Sequence, residues 1–167
     1  MRVFLVGFMG AGKSATGRAL ARRLASLFVD LDERVEAGLG MPVPEIFRSL
    51  GEAAFRSEEA RQLAACARFS DLVVATGGGT FAFAENRAVI ARLGVSVFLD
   101  PTWEDVLRRI PGKREERPLF SSPEAALELY RRRLPSYRAA DLRVRPEPGE
   151  DAEVVAGRIM LLLGEHG

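Results

Sequence analysis

Residues 7–14 read Gly7-Phe8-Met9-Gly10-Ala11-Gly12-Lys13-Ser14, a complete G-x-x-x-x-G-K-[ST] loop. An apolar run, Val3-Phe4-Leu5-Val6, leads into it, and a helical pattern from about Lys13 to Leu27 leads out. Strand, loop and helix in that order constrain the fold, because the loop works only where a buried strand delivers it to a helix N-terminus. Its glycines let backbone N–H groups turn inward around phosphate oxygens, and the positive end of the helix adds to them. Lys13 can then reach the β- and γ-phosphates, and the Ser14 hydroxyl can ligate Mg²⁺. The bland alternative is a chance glycine-rich turn. Motif and context together set it aside and imply a bound nucleoside triphosphate.

Short apolar runs alternate with helical patterns along the rest of the chain. Phe28-Val29-Asp30 reads as a second strand, with a helical stretch beginning near Asp32. Leu72-Val73-Val74-Ala75 and Val95-Ser96-Val97-Phe98-Leu99 are two more, Leu142-Arg143-Val144 is a weaker fifth, and a helix covers about Asp151 to Leu163. Continuous apolar strands suit a sheet covered on both faces, and strand–helix alternation implies a parallel α/β sheet with right-handed crossovers. Two segments stand apart. Val43 to Phe69 reads as one long helical insertion, and Pro111 to Pro123 is a polar stretch fenced by prolines. The latter is either a solvated loop or a lid over an anion.

Composition narrows the function. A chain of 167 residues with 47% hydrophobic content suits a single self-sufficient domain. A net charge of +1 argues against a nucleic-acid partner held by a broad basic face. One Cys and one His leave no disulfide framework and no zinc-type cluster. Met1 to Met9 lacks the shape of a secretory signal, and Ile159 to Leu163 is far short of the roughly 20 apolar residues that span a bilayer. A cytoplasmic monomer with no membrane partner is expected. All but two of the 24 basic residues are arginine, which draws attention to Lys13 and Lys113.

Other features point to a second substrate. Asp30-x-Asp32 closes the second strand, where ligands of open parallel sheets gather. Asp32 either caps the next helix or takes part in chemistry, one carboxylate holding Mg²⁺ through water and the other accepting a hydroxyl proton. Thr76-Gly77-Gly78-Gly79-Thr80 follows the third strand, as a flexible turn or as a binding turn with exposed backbone donors. That strand ends without the usual metal-directing carboxylate, which shifts weight onto Asp30. Arg56 and Glu59 share a helix face, as a surface pair or as part of a carboxylate-binding fork; Arg138 carries the same two readings.

Together these residues resemble the shikimate kinase family. The resemblance rests on the phosphate loop, Asp30-Leu31-Asp32, Gly51-Glu52-Ala53-Ala54-Phe55-Arg56-Ser57-Glu58-Glu59 and Gly77-Gly78-Gly79. It continues through Arg117-Pro118-Leu119 and Arg132-Arg133-Leu134-Pro135-Ser136-Tyr137-Arg138, spanning roughly residues 3 to 165. The phosphate loop alone is common to many kinases, whereas the combination is much more specific. It implies a single domain over 1–167 with a three-layer P-loop NTPase or nucleoside-monophosphate-kinase-like fold. Its five-stranded parallel sheet would be flanked by helices, with a substrate-binding insertion over about 32–62 and a lid over about 111–123. It also implies ATP-dependent phosphorylation of the 3-hydroxyl of shikimate, giving shikimate 3-phosphate and ADP, with Mg²⁺ as cofactor.

The resemblance carries residue roles with it. Gly10, Ala11, Gly12, Lys13, Ser14 and Ala15 would cradle the ATP phosphates, with Mg²⁺ held by Ser14 and, through water, by Asp30. Arg109 and the loop from Arg145 to Pro148 would flank adenine, and Arg117 would swing onto the phosphates beside Lys13. Lys13, Asp32 and Arg117 would be the catalytic set. Arg56 and Arg138 would clamp the substrate carboxylate, Glu59 would hold Arg56, and Gly77, Gly78 and Gly79 would offer backbone N–H groups. Two departures stand out: Ala15 replaces a common hydroxyl residue, and Thr80-Phe81-Ala82-Phe83 is bulky for a pocket wall. The alternatives are another small-molecule P-loop kinase, or a nucleotide-binding regulator without turnover. Cys66, Trp103 and Tyr137 read as packing residues, and His166 as disordered.

Overall fold

A computed structural model describes residues 1–110 and 121–166. Five strands, β1 (Arg2–Val6), β2 (Leu27–Asp30), β3 (Leu72–Ala75), β4 (Val95–Leu99) and β5 (Leu142–Val144), form one sheet in the order β2-β3-β1-β4-β5. Every pairing is parallel. Eight helices connect and cover the described strands: α1 (Lys13–Arg23), α2 (Leu31–Leu39), α3 (Val43–Ser49), α4 (Glu52–Ala65), α5 (Ala84–Leu93), α6 (Trp103–Arg109), α7 (Pro123–Tyr137) and α8 (Ala152–His166). No helix among the described residues is long and apolar enough to cross a membrane.

Alternation along β1 shows why there are three layers. Phe4 and Val6 face one core, with Leu63 of α4, Ile90 of α5, Val106 of α6 and Leu129 of α7. Val3 and Leu5 face the other, with Leu20 of α1 and Val155 and Ile159 of α8. A strand buried on both faces must be apolar at every position, and Val3 to Val6 are all fully buried. A third, small core of Val35, Ile46 and Phe55 unites α2, α3 and α4 away from the sheet.

Several boundaries differ from those expected. α1 stops at Arg23, four residues before Leu27, because Leu24 caps it and Ala25 enters the left-handed region at φ 49°. That tight reversal starts β2 at the sheet edge, where Leu27 is exposed. The insertion is two helices and a 3-10 turn, not one helix. Gly51 (φ +86°) breaks it, and the N–H groups of Leu50 and Gly51 both donate to the Ile46 carbonyl. Pro123, expected at the edge of the lid, opens α7 behind a Ser122 cap. His166 is not disordered but closes α8.

Gly94 tests the packing at the mouth of β4. A Cβ there would lie 2.1 Å from the Arg2 carbonyl oxygen, whereas one on Gly164 of α8 would meet nothing within 4 Å. Gly94→Ala is expected to cost roughly 2–3 kcal/mol through overpacking, a fall in melting temperature on the order of 5–10 °C. Gly164→Ala is expected to be neutral or to gain up to about 1 kcal/mol. Thermal melts of the two variants decide the matter, and equal effects would contradict the contact.

Candidate active site

The phosphate loop takes the shape its glycines permit. Gly7, Gly10 and Gly12 all have positive φ, at 145°, 75° and 89°, which side-chain-bearing residues rarely adopt. Gly12 occupies the N-cap of α1, and the first turn of that helix carries no acidic residue to oppose an anion. Lys13 is 9% exposed and curls over its own loop, its Nζ donating to the carbonyls of Gly7 (2.7 Å) and Phe8 (2.8 Å). A cleft of about 370 Å³ opens here, lined by the loop, Asp30, Asp32, Thr76, Gly78 and Arg109. Ala15 contributes to that lining, so the position without a hydroxyl does face the cleft.

Asp30 and Asp32 divide the work differently from the capping alternative. Asp30 is the N-cap of α2, its Oδ1 accepting from the N–H groups of Asp32 (3.1 Å) and Glu33 (3.4 Å). Its Oδ2 accepts from the Ser14 hydroxyl at 2.6 Å, joining the phosphate loop to the end of β2. Asp32, one residue into α2, lines the cleft. Thr76 uses its hydroxyl on the Leu5 carbonyl at 2.9 Å, so no carboxylate emerges from β3 at this level.

Two of the three glycines in the turn, Gly77 and Gly79, are a steric necessity. A Cβ on Gly77 would lie 2.8 Å from Asp32 Oδ1 and 2.9 Å from Glu59 Oε2, and one on Gly79 would lie 2.6 Å from the Arg56 guanidinium. Glu59 has no exposure at all and is held by Arg56 Nη1 (3.0 Å) and the Thr80 hydroxyl (2.6 Å). A buried carboxylate is tolerable only when paired in this way. Arg56 also reaches Glu52 at 3.4 Å. The expected Arg56–Glu59 pair is therefore a buried anchor, not a surface ornament.

A second arginine joins this cluster, and it is not Arg138. Arg138 lies exposed at the C-cap of α7, where its charge acts on Tyr130. Arg133 is 8% exposed, with Nη1 3.5 Å from the Cβ position of Gly78. Burial, together with the like charge of Arg56, pushes its guanidinium below the usual arginine range. Tyr137, one turn on, lies beside Arg133 and donates to the Gly78 carbonyl. The sequence does carry a signal for Arg133: it falls with Ala126, Leu129 and Tyr137 on the buried stripe of α7. Arg56 and Arg133 thus bring two guanidinium groups to one side of the glycine turn, an arrangement suited to a carboxylate ligand.

The remaining expectations separate. Arg109 Nη1 donates to the Gly10 carbonyl at 3.2 Å and lines the phosphate cleft. Arg145, Pro146 and Pro148 line a neighbouring cavity of about 430 Å³ with Trp103 and Tyr130, and Arg145 pairs with buried Asp100 at 3.3 Å. Lys113 and Arg117 lie outside the described residues. Among the described residues no group of three or more His, Cys, Asp and Glu side chains can hold a metal. A hard cation would rely on hydroxyl, carboxylate and water oxygens, and Ser14 beside Asp30 fits Mg²⁺ in that manner.

Comparisons with known proteins converge. Residues 9–163 match the family model described as shikimate kinase. A shikimate kinase of Prochlorococcus marinus (strain MIT 9313) is 45% identical over 145 residues, covering 85% of this chain and 75% of that protein. One from Ruegeria pomeroyi is 41% identical over 164 residues, covering 96% and 84%. The solved structure of shikimate kinase from Acinetobacter baumannii in complex with shikimate superposes with a TM-score of 0.93 at 34% identity, over 99% of this chain and 93% of that one.

The two tyrosines check the packing around this site. Burial pushes the Tyr137 phenol up to about 12, and burial with the nearby Asp100 carboxylate raises that of Tyr130. Each raised pKa favours the neutral phenol in the folded state, so this contribution to stability is full below about pH 10 and fades as pH rises toward 12. Ultraviolet titration of the native protein should show little phenolate at pH 10, against about half ionisation in denaturant. Half ionisation in the folded state would contradict the buried setting.

Proposed function

The chain belongs to the shikimate kinase family and transfers a phosphoryl group from ATP to shikimate; from that premise we propose the following division of labour among its residues. The observation that carries it is the convergence of Asp32, Glu59, Arg56 and Arg133 on the triple-glycine turn, beside the phosphate loop. Arg56 and Arg133 hold the shikimate carboxylate. Glu59, buried and bonded to Arg56 and Thr80, fixes the first of these. Tyr137 fastens the glycine turn, whose backbone N–H groups border the substrate.

Asp32 orients the 3-hydroxyl and accepts its proton as the oxygen attacks the γ-phosphorus. Its place in the first turn of α2, on the cleft wall facing the phosphate loop, supports this role. The phosphate loop holds the nucleotide: backbone N–H groups of residues 10–15 surround its phosphates, and the Lys13 ammonium exchanges its loop carbonyls for phosphate oxygens. Ser14 and, through water, Asp30 would hold Mg²⁺, which supplies positive charge at the phosphate oxygens when bound. Arg109, against Gly10, borders the nucleotide, and the Arg145–Pro148 loop takes the adenine side. Arg117, which lies outside the described residues, takes the charge-neutralising role that the family resemblance implies. A monomer in the cytoplasm is proposed with this division of labour.

Positioning and charge neutralisation dominate phosphoryl transfer, so single losses should be large and distinct. Asp32→Asn should lower turnover about 100-fold or more while nucleotide binding, followed by calorimetry, persists. Arg56→Ala and Arg133→Met should each raise KM for shikimate roughly 10- to 100-fold, the worth of a hydrogen bond between charged groups, and leave KM for ATP near its starting value. Arg138→Ala should change neither by more than about twofold, as expected of an exposed charge. A coupled ADP-release assay with shikimate and related hydroxy acids reads all of these. A larger loss from Arg138→Ala than from Arg133→Met would reverse the assignment.

A further inference from the structure

Phe83, four positions after the triple glycine, is poorly suited to its place in the backbone. Phe83 is the N-cap of α5 and makes no side-chain hydrogen bond to that helix. The position favours Ser, Thr, Asp or Asn, whose oxygens satisfy an orphan N–H of the first turn. Phenylalanine offers no such acceptor, and core burial does not offset the loss. Phe83 is 40% exposed, whereas Phe81 is 3% exposed and packs in the core.

What the ring meets is the guanidinium of Arg56. The Arg56 Cζ lies 5.2 Å from the Phe83 centroid and 5.0 Å from that of Phe55. Guanidinium faces are weakly hydrated and are attracted to the negative face of an aromatic ring. In its own plane Arg56 donates Nη1 to Glu59 and Nε to Glu52, and neither bond uses Nη2. Gly79 lets the backbone approach the same group so closely that a Cβ would lie 2.8 Å from Nη1 and 2.6 Å from Nη2. Rings, carboxylates and backbone thus restrain one side chain from several directions.

We propose that Phe83 is a positioning residue for acceptor recognition, its ring holding the Arg56 guanidinium in the orientation that receives the substrate carboxylate. The inference rests on the reading of Arg56 given above. A side chain held in place before binding loses less conformational entropy on binding, so the effect belongs to acceptor affinity and not to nucleotide affinity or phosphoryl transfer.

Steady-state kinetics and thermal melts of Phe83→Ala, Phe83→Ser, Phe83→Leu and Phe83→Tyr test it. Ala, Ser and Leu should raise KM for shikimate about three- to fivefold, the scale of an exposed cation–π contact, with kcat and KM for ATP within about twofold. Tyr, which keeps the ring, should restore the wild-type KM. Ser should melt about 2–4 °C above Ala because it supplies the cap, yet share its KM, separating recognition from stability. In an Arg56→Ala background Phe83→Ala should add nothing. Full recovery by Leu, a KM that follows melting temperature, or an additive double variant would each overturn the proposal. If Arg56→Ala itself left KM for shikimate unchanged, the underlying reading of Arg56 would fall. A raised KM in Arg56→Ala with none in Phe83→Ala would remove Phe83 alone.

Discussion

Leu5, Ala75 and Asp30 stand in register across three adjacent parallel strands, β1, β3 and β2. That alignment is the constraint on which the site depends. Parallel pairing brings all three C-terminal ends to one edge, so the phosphate loop, the triple-glycine turn and the start of α2 emerge side by side. Two hydrogen bonds lock the level: Thr76 to the Leu5 carbonyl, and Ser14 to Asp30. A one-residue slip in β3 would turn its side chains to the opposite faces of the sheet and shift the triple-glycine turn away from the phosphate loop.

Glu59 does for the acceptor half what register does for the nucleotide half. A carboxylate with no solvent exposure must be satisfied internally, and its partners are Arg56 and Thr80 from either side of the turn. Satisfying it therefore couples α4 to the segment after β3. Arg133 arrives from a third element, α7, steered by the buried stripe it shares with Tyr137. The convergence of two arginines is held against their mutual repulsion by this packing and by the acid between them.

The sheet and the phosphate loop were legible in the sequence for a simple reason. β3 and β4 are short, largely apolar runs bounded by turn residues, and the loop is a contiguous motif whose context is local. Less legible were features that depend on direction in space. Arg133 and Arg138 look alike in a basic run, and only the face each takes on α7 tells them apart. Asp32 was the cap that residue type suggested, yet the strand's end point made Asp30 the cap. The insertion's periodicity continued through Gly51, so the break between α3 and α4 was hidden until its left-handed backbone was seen. Phe81 and Phe83 read as one bulky wall, yet one enters the core and the other covers a guanidinium.

The small core of Val35, Ile46 and Phe55 gives α2, α3 and α4 an apolar centre of their own, apart from the two cores that sandwich the sheet. This separation makes the acceptor side a module. Substitutions at Val35, Ile46 or Phe55 act first on the surroundings of Asp32 and Arg56, while Leu31 of α2 and Leu63 of α4 anchor the same helices on the sheet core.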